Sequence, residues 1–200
     1  MMFFIAGPEK IAATAMGQLR LEIARIKGLL DPNRREFVWI TEFPMFEYSE
    51  TEGRYMAMHH PFTSPMPEHL DMMLSGNLKD CKAQAYDLVL NGVEIGGGSI
   101  RIHNPEVQEK VFRLLGLTEE QVQEKFGFFV DAFKFGAPPH GGLAFGLDRI
   151  VATMEGQESI RDFIAFPKNT SASSPMDQSP SEVDLQQLQD IHISVNLGKK

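Results

Sequence analysis

Asp87, Glu94 and Arg101 lie within two neighbouring strand-like runs, and Gly96, Gly97 and Gly98 stand between the second acid and the arginine. Two converging carboxylates could hold a hard cation such as magnesium, which takes oxygen ligands and usually brings substrate phosphates with it. Arginine, planar and always charged, suits a substrate carboxylate, which it can grip through two parallel hydrogen bonds. Strand geometry decides whether the three side chains can serve one site.

Ala83–Leu90 and Val93–His103 read as strands joined by Asn91-Gly92, the strongest short signal for a β-hairpin. With a two-residue loop, Leu90 faces Val93, Val89 faces Glu94 and Asp87 faces Gly96, so both acids stand diagonally on one side of the sheet. The other reading leaves each acid as a solvated strand residue. Arg101 follows Glu94 by seven positions, so an unbroken strand would point the two to opposite faces. One bulge among Gly96, Gly97 and Gly98 would bring them back to the same face. Glycine weakens a strand interior, so three in succession mark a bulge, a hinge or the close approach of a ligand.

His59 and His60 are adjacent, which makes chelation of one metal by both awkward, and neither HExxH nor a Cys/His cluster is present. In a proline-rich loop the pair could read a polar substrate or satisfy the loop backbone. In GLAFGLDR, a strand delivers Gly146 and Leu147, then Asp148 and Arg149 at the first turn of a helix. Backbone N–H groups and a guanidinium are thereby set where an anion or a nucleotide base could lie. The segment is not a P-loop, lacking Gly-Lys-Ser/Thr, and it lacks the GxGxxG of dinucleotide sites.

The elements that position these residues follow from periodicity and punctuation. Apolar residues at Ile11, Ala15, Leu19, Ile23 and Ile26 predict an amphipathic helix from Pro8 to Lys27, closed by Gly28. A domain boundary is expected near residue 31. Phe37 to Tyr48 reads as a strand that breaks at Pro44, and Met58 to Leu78 as a loop whose prolines exclude regular structure. Asn104-Pro105 caps a helix bearing Val107, Val111, Leu114 and Leu115, and Thr118 with Gln121 forms a capping box for the next. The helical spacing of Phe126, Phe129 and Phe133 reads as core rather than as a stacking platform for bases. Ser181 is expected to cap a short last helix after a polar Ser/Pro loop. The fold class is α+β: an antiparallel β-sheet flanked by helices.

A chain of 200 residues with 42% hydrophobic and 23% charged residues can bury one sizeable core, so disorder is not its main state. The net charge of -8 argues against a domain that coats nucleic acid by bulk phosphate neutralisation. Cys81 is the single cysteine, which rules out an internal disulfide and fits the cytoplasm. No apolar run approaches a bilayer span, and MMFFIAG lacks a basic start and a cleavage signal, so neither membrane insertion nor secretion is expected.

Together, FFIAG, AMHHPFTSP, AYDLVLNGVEIGGGSIRIH, KFGFFVDAFKFGAPPHGGLAFGLDR and IRDFIAFPK resemble the bacterial type of aspartyl-tRNA synthetase, a class II aminoacyl-tRNA synthetase. The resemblance implies a partial class II catalytic core. Residues 1–31 would be the tail of the bacterial insertion domain, and 32–200 the C-terminal part of the catalytic domain with its motif 3. Asp87 and Glu94 match the magnesium-binding acids at the ATP phosphates, and Glu94 also lies within reach of the nucleotide. Arg101 matches the arginine that grips the aspartate side-chain carboxylate, with His59 and His60 in the loop closing over the amino acid. Ser99 and the glycines form the floor beneath the adenylate, and Gly146, Leu147, Asp148 and Arg149 match the motif 3 ATP segment.

The implied substrates are L-aspartate, ATP and, through the full-length enzyme, tRNA; a homodimer is implied for the parent. Motifs 1 and 2 and an anticodon-binding barrel are not found, so the chain is expected to be a C-terminal piece that is inactive alone. Alternatives are a non-catalytic nucleotide- or partner-binding fragment, or a related asparaginyl- or lysyl-type synthetase. Arg101 counts against the last, because a guanidinium suits a carboxylate better than an amide or an ammonium.

Overall fold

The computed structural model describes residues 2–196, and the chain forms two compact units, Met1–Gly156 and Gln157–Lys200. In the first, α1 spans Glu9–Ile26. It begins after Pro8, whose fixed φ suits a helix start, and ends at Gly28 with φ +62. There Leu29 N–H reaches the Ala24 carbonyl and Gly28 N–H the Arg25 carbonyl, the paired bonds of a glycine-terminated helix end. None of the α1 residues is buried; Leu19 and Ile23 of its apolar stripe are half-buried, and Ile11, Ala15 and Ile26 are exposed.

The strand expected from Phe37 to Tyr48 is two strands, β1 (Phe37–Thr41) and β2 (Phe46–Ser49), in different sheets. Glu42 at φ +60 and Pro44 interrupt the run. β2 pairs instead with β3 (Arg54–Ala57), in a hairpin turned at Gly53 with φ +64. The prolines after Met58 do not exclude regular structure. Pro67 starts a 3₁₀ turn that runs into α2 (Leu70–Leu74), a place where the missing N–H costs nothing.

β4 (Ala85–Leu90) and β5 (Val93–Ile100) form the central hairpin. Asn91 and Gly92 take φ +50 and +86, as a type I′ turn requires. With β6 (Gly141–Phe145) they build an antiparallel sheet in the order β1-β4-β5-β6. The register departs from the regular one at a single place: Val89 faces Glu94 but Leu88 faces Gly96, leaving Ile95 as the extra residue of a bulge. Asp87 therefore faces Gly97, not Gly96 as the regular hairpin would have it.

α3 (Pro105–Leu114) is capped by Asn104, whose side-chain oxygen accepts from Glu106 N–H at 2.8 Å and Val107 N–H at 3.1 Å. α4 (Glu119–Phe133) opens with the expected Thr118–Gln121 capping box. α5 (Leu147–Met154) follows β6 directly through Gly146. The core joins Phe46 of β2, Met73 of α2, Ala83 just before β4 and Ala85 within it, Ile102, Val111 of α3 and its C-cap residue Leu115. Met73 and Val111 are fully buried, each stabilising by roughly 1.5–3 kcal/mol relative to exposure. Phe126, Phe129 and Phe133 pack as core aromatics with Phe62 and Phe112.

In the second unit a polar loop is organised by Asn169, whose side-chain oxygen accepts from Ser171 and Ser173 N–H, each at 2.9 Å. The last helix, α6 (Leu185–Asp190), starts after Asp184, so Ser181 does not cap it. Among the described residues no helix is long and apolar enough to cross a membrane.

Candidate functional site

Beside the central hairpin lies a cavity of about 310 Å³ lined by His59, His60, Asp87, Glu94, Ser99 and Arg101, with Gly97, Gly98 and Ala144. Six residues singled out in the sequence are thus brought together, and the bulge explains how. Cross-strand partners share a sheet face, so Asp87 with Gly97 and Val89 with Glu94 fall on one side. Ser99 and Arg101 continue that side, and without the extra residue at Ile95 Glu94 would point away from them. The irregularity lies one residue before the glycines. Buried Ile95, 4% exposed, is displaced from the alternation, and its carbonyl accepts from Gly146 N–H at 2.9 Å. The same bulge thus anchors the entry to α5.

The glycines keep the wall thin. A Cβ on Gly97 would collide with the Asp87 carboxylate, one on Gly98 with the Gly142 carbonyl, and one on Gly96 would meet the Phe145 ring at 2.7 Å. The Ser99 hydroxyl, on a residue 3% exposed, lies in the cavity floor without a hydrogen-bond partner. An orphan buried hydroxyl calls for a partner, and a bound ligand can supply one.

Arg101 is positioned from two sides. Its N–H donates to the His140 carbonyl at 2.9 Å, and its backbone bridges to Thr63 in the histidine loop. That loop is fastened by Ile102 N–H to the Phe62 carbonyl and by Ser64 N–H to the Ile100 carbonyl, both at 2.9 Å. The Arg101 Nη1 donates to Nδ1 of His60 at 3.0 Å, and Phe62 N–H donates to the same nitrogen at 3.1 Å. His60 is therefore a neutral imidazole with its proton on Nε2. Burial, then Arg101, then His59 hold its pKa below the usual histidine value. Burial also lowers the Arg101 pKa, opposed by Tyr86, yet a guanidinium keeps its charge at any physiological pH. His59 packs edge-on against Phe43.

At the turn end of the cavity, burial first and Glu94 second raise the Asp87 pKa, with His59 opposing. A carboxylate pair disfavoured in this way gains from a cation. Among the described residues no group of three or more His, Cys, Asp or Glu could hold a metal by itself. Two carboxylate oxygen donors nevertheless fit magnesium, which keeps several waters and draws other ligands from phosphates.

Of the GLAFGLDR residues Ala144 lines the cavity, while Gly146, Leu147, Asp148 and Arg149 stand apart from its lining. Arg149 reaches back to Glu94, donating to its carbonyl at 3.2 Å and approaching its carboxylate at 3.6 Å; both side chains are about half exposed, so the ion pair adds little stability. Gly146 serves as the α5 cap position, Asp148 is half-buried in the first turn, and Leu147 is 71% exposed. A second cavity, of about 300 Å³, contains Gln84 and Asn104. Gln84 donates to the Pro65 carbonyl at 2.8 Å and Asn104 caps α3, so the amide nitrogen of the first and the side-chain oxygen of the second are already engaged.

Sequence reasoning missed Thr63 and Gln108. Both are buried, each retains a side-chain oxygen without a partner, and Gln108 donates to the Pro61 carbonyl at 2.7 Å. The signal was slight: Gln108 lies on the face of α3 that carries Val111 and Phe112.

A family model described as tRNA synthetases class II (D, K and N) matches residues 10–170. The chain is 55% identical over 192 residues to the aspartate–tRNA ligase of Ruminiclostridium cellulolyticum, covering 96% of this chain and 32% of the relative. It is 52% identical over 195 residues to the aspartate–tRNA(Asp/Asn) ligase of Desulfatibacillum aliphaticivorans, covering 98% and 32%. The chain thus spans about a third of the length of the curated relatives it matches. Its fold is similar to that of an aspartyl tRNA synthetase from Entamoeba histolytica, with TM-score 0.51 and 24% identity over 75% of this chain and 25% of that one.

Proposed function

The chain belongs to the class II tRNA synthetases (D, K and N), and on that premise we propose that it carries the amino-acid and phosphate walls of a site that activates L-aspartate with ATP for transfer to tRNA. The observation that carries this reading is the placing of Arg101, with its His60 partner, in the same cavity as Asp87 and Glu94. A fixed guanidinium at one end suits the side-chain carboxylate of aspartate. Two acids at the other suit a magnesium ion with the ATP phosphates. The match to relatives named as aspartate and aspartate(Asp/Asn) ligases supports aspartate over asparagine or lysine.

In the first step an oxygen of the aspartate α-carboxylate attacks the α-phosphorus of ATP. The bond from that phosphorus to the bridging oxygen breaks, and pyrophosphate leaves aspartyl-adenylate behind. In the second, a hydroxyl of the terminal adenosine of tRNA attacks the acyl carbon and AMP departs. Little covalent chemistry falls to the protein, so positioning and charge complementarity carry the catalysis.

Arg101 orients the amino acid by its side chain, His60 fixes the guanidinium, and the Ser99 hydroxyl offers a hydrogen bond at the floor. His59 and His60 border the amino-acid end, while Gly97 and Gly98 let the adenylate approach the backbone. Arg149, with Gly146, Leu147 and Asp148, forms the nucleotide side and meets Glu94 there. Asp87 and Glu94 would hold magnesium, which when bound offsets phosphate charge. Residues 1–31 are the tail of an insertion domain, and 32–200 part of a catalytic domain that works in the cytoplasm as a homodimer.

Amino-acid-dependent exchange of pyrophosphate into ATP by the whole protein tests this reading. Aspartate should support exchange and asparagine and lysine should not; exchange driven by either of those instead would overturn the assignment.

A further inference from the structure

We propose that Gln108 is a positioning residue for the amino-acid end of the site, holding the His59–His60 loop in register with Arg101 through the carbonyl of Pro61. This rests on the reading that the loop borders the aspartate pocket.

The tether is specific. Pro61 has no N–H, so its carbonyl is the only backbone group through which it can be held, and Gln108 Nε2 donates to it at 2.7 Å. Gln108 is 1% exposed and leaves its own Oε1 without a partner. A buried amide with one bond made and one acceptor orphaned is poor stabilisation, because a well-packed apolar side chain could stand there at comparable or lower cost. Its buried neighbours on α3, Val111 and Phe112, are apolar and offer the amide no partner.

What the bond fixes lies one residue away. His60 precedes Pro61, and its Nδ1 takes the Arg101 guanidinium at 3.0 Å. On the other side Phe62 is wedged against Phe126 and Phe129, ring centres 5.3 and 4.6 Å apart. The aromatic contacts set the depth of the loop; the Gln108 bond sets the orientation of the Pro61–Phe62 peptide, whose N–H donates to His60 Nδ1 at 3.1 Å. A shift there moves the imidazole, and with it the angle of Arg101, while the two acids near the turn stay in place.

Gln108→Met in the whole protein, of similar length but without a donor, tests this by pyrophosphate exchange. The KM for aspartate should rise by at least about fivefold while the KM for ATP stays within about twofold, since misplacement of a binding group is felt by the ligand it orients. Gln108→Glu provides the second variant. Burial favours its protonated form, which still donates to Pro61, so its aspartate KM should rise with pH across a range where that of the unmodified protein is flat. If Gln108→Met does not fold, Gln108→Glu decides. An unchanged aspartate KM in the folded variants, or equal rises for aspartate and ATP, overturns the tether alone. Absence of aspartate-dependent exchange by the unmodified protein overturns the functional reading, and the tether with it.

Discussion

Glu94 and Arg101 line one cavity because Ile95 is an extra residue in β5. Their separation of seven positions would oppose them in a regular strand. The bulge thus converts a linear spacing into a site with acids at one end and a guanidinium at the other. The residue that makes the bulge is buried and does not itself line the cavity.

The glycines should separate fold from function. Gly97→Ala sets a methyl against the end of the Asp87 side chain, which can swing aside. The variant should fold with a melting temperature near that of the parent yet lose most magnesium-ATP-dependent exchange. Gly98→Ala sets the methyl against the Gly142 carbonyl, which belongs to β6 and cannot yield without parting the strands. A loss of about 1–3 kcal/mol or more in denaturant unfolding is expected there. Equal effects of the two on stability would contradict this view of the wall.

His60 should make stability depend on pH in one direction. Its pKa is lowered in the folded state, so the contribution is present above the ordinary histidine value of about 6.5 and is lost as pH falls below it toward the folded value. His60→Asn keeps an acceptor for Arg101 but does not titrate. Thermal melts between about pH 7.5 and 5 should show the unmodified protein losing stability that the variant keeps.

Much of this was legible in the residues. Asn91-Gly92 marked the hairpin, because this pair takes the two positive φ angles of a type I′ turn, whose twist matches the strands, and Asn104 and Thr118 marked two helix starts by their capping chemistry. That a bulge was needed followed from the spacing of Glu94 and Arg101. Its place did not, because Ile95 looks like an ordinary alternating strand residue until the burial of its side chain is known. The β2–β3 hairpin escaped notice because its strands are only four residues each and its turn signal, Gly53, stands among charged residues. Gln108 was hidden for a different reason: its partner, Pro61, lies 47 residues earlier in the chain.

Cys81 should be inert in the native protein. It is 1% exposed, and burial pushes its thiol up to about 11, so little thiolate forms at neutral pH. Alkylation should follow unfolding, with no fast phase on mixing. The raised pKa also means that this stabilising contribution is held below the ordinary thiol value and lost as pH rises through about 11. Rapid labelling of native protein near pH 7.5 would show that the core around Met45 and Met73 is looser than described.

The most direct measurement is the aspartate dependence of pyrophosphate exchange by Arg101→Ala and Arg101→Lys in the whole protein. Loss of the guanidinium should cost at least about 3 kcal/mol in kcat/KM for aspartate in the alanine variant. Lysine should rescue little of it, because an ammonium cannot reproduce the bidentate grip. The KM for ATP should change far less. Aspartate activation left intact in Arg101→Ala, or restored by lysine, would contradict the assignment of this cavity as the place where the aspartate side chain is held.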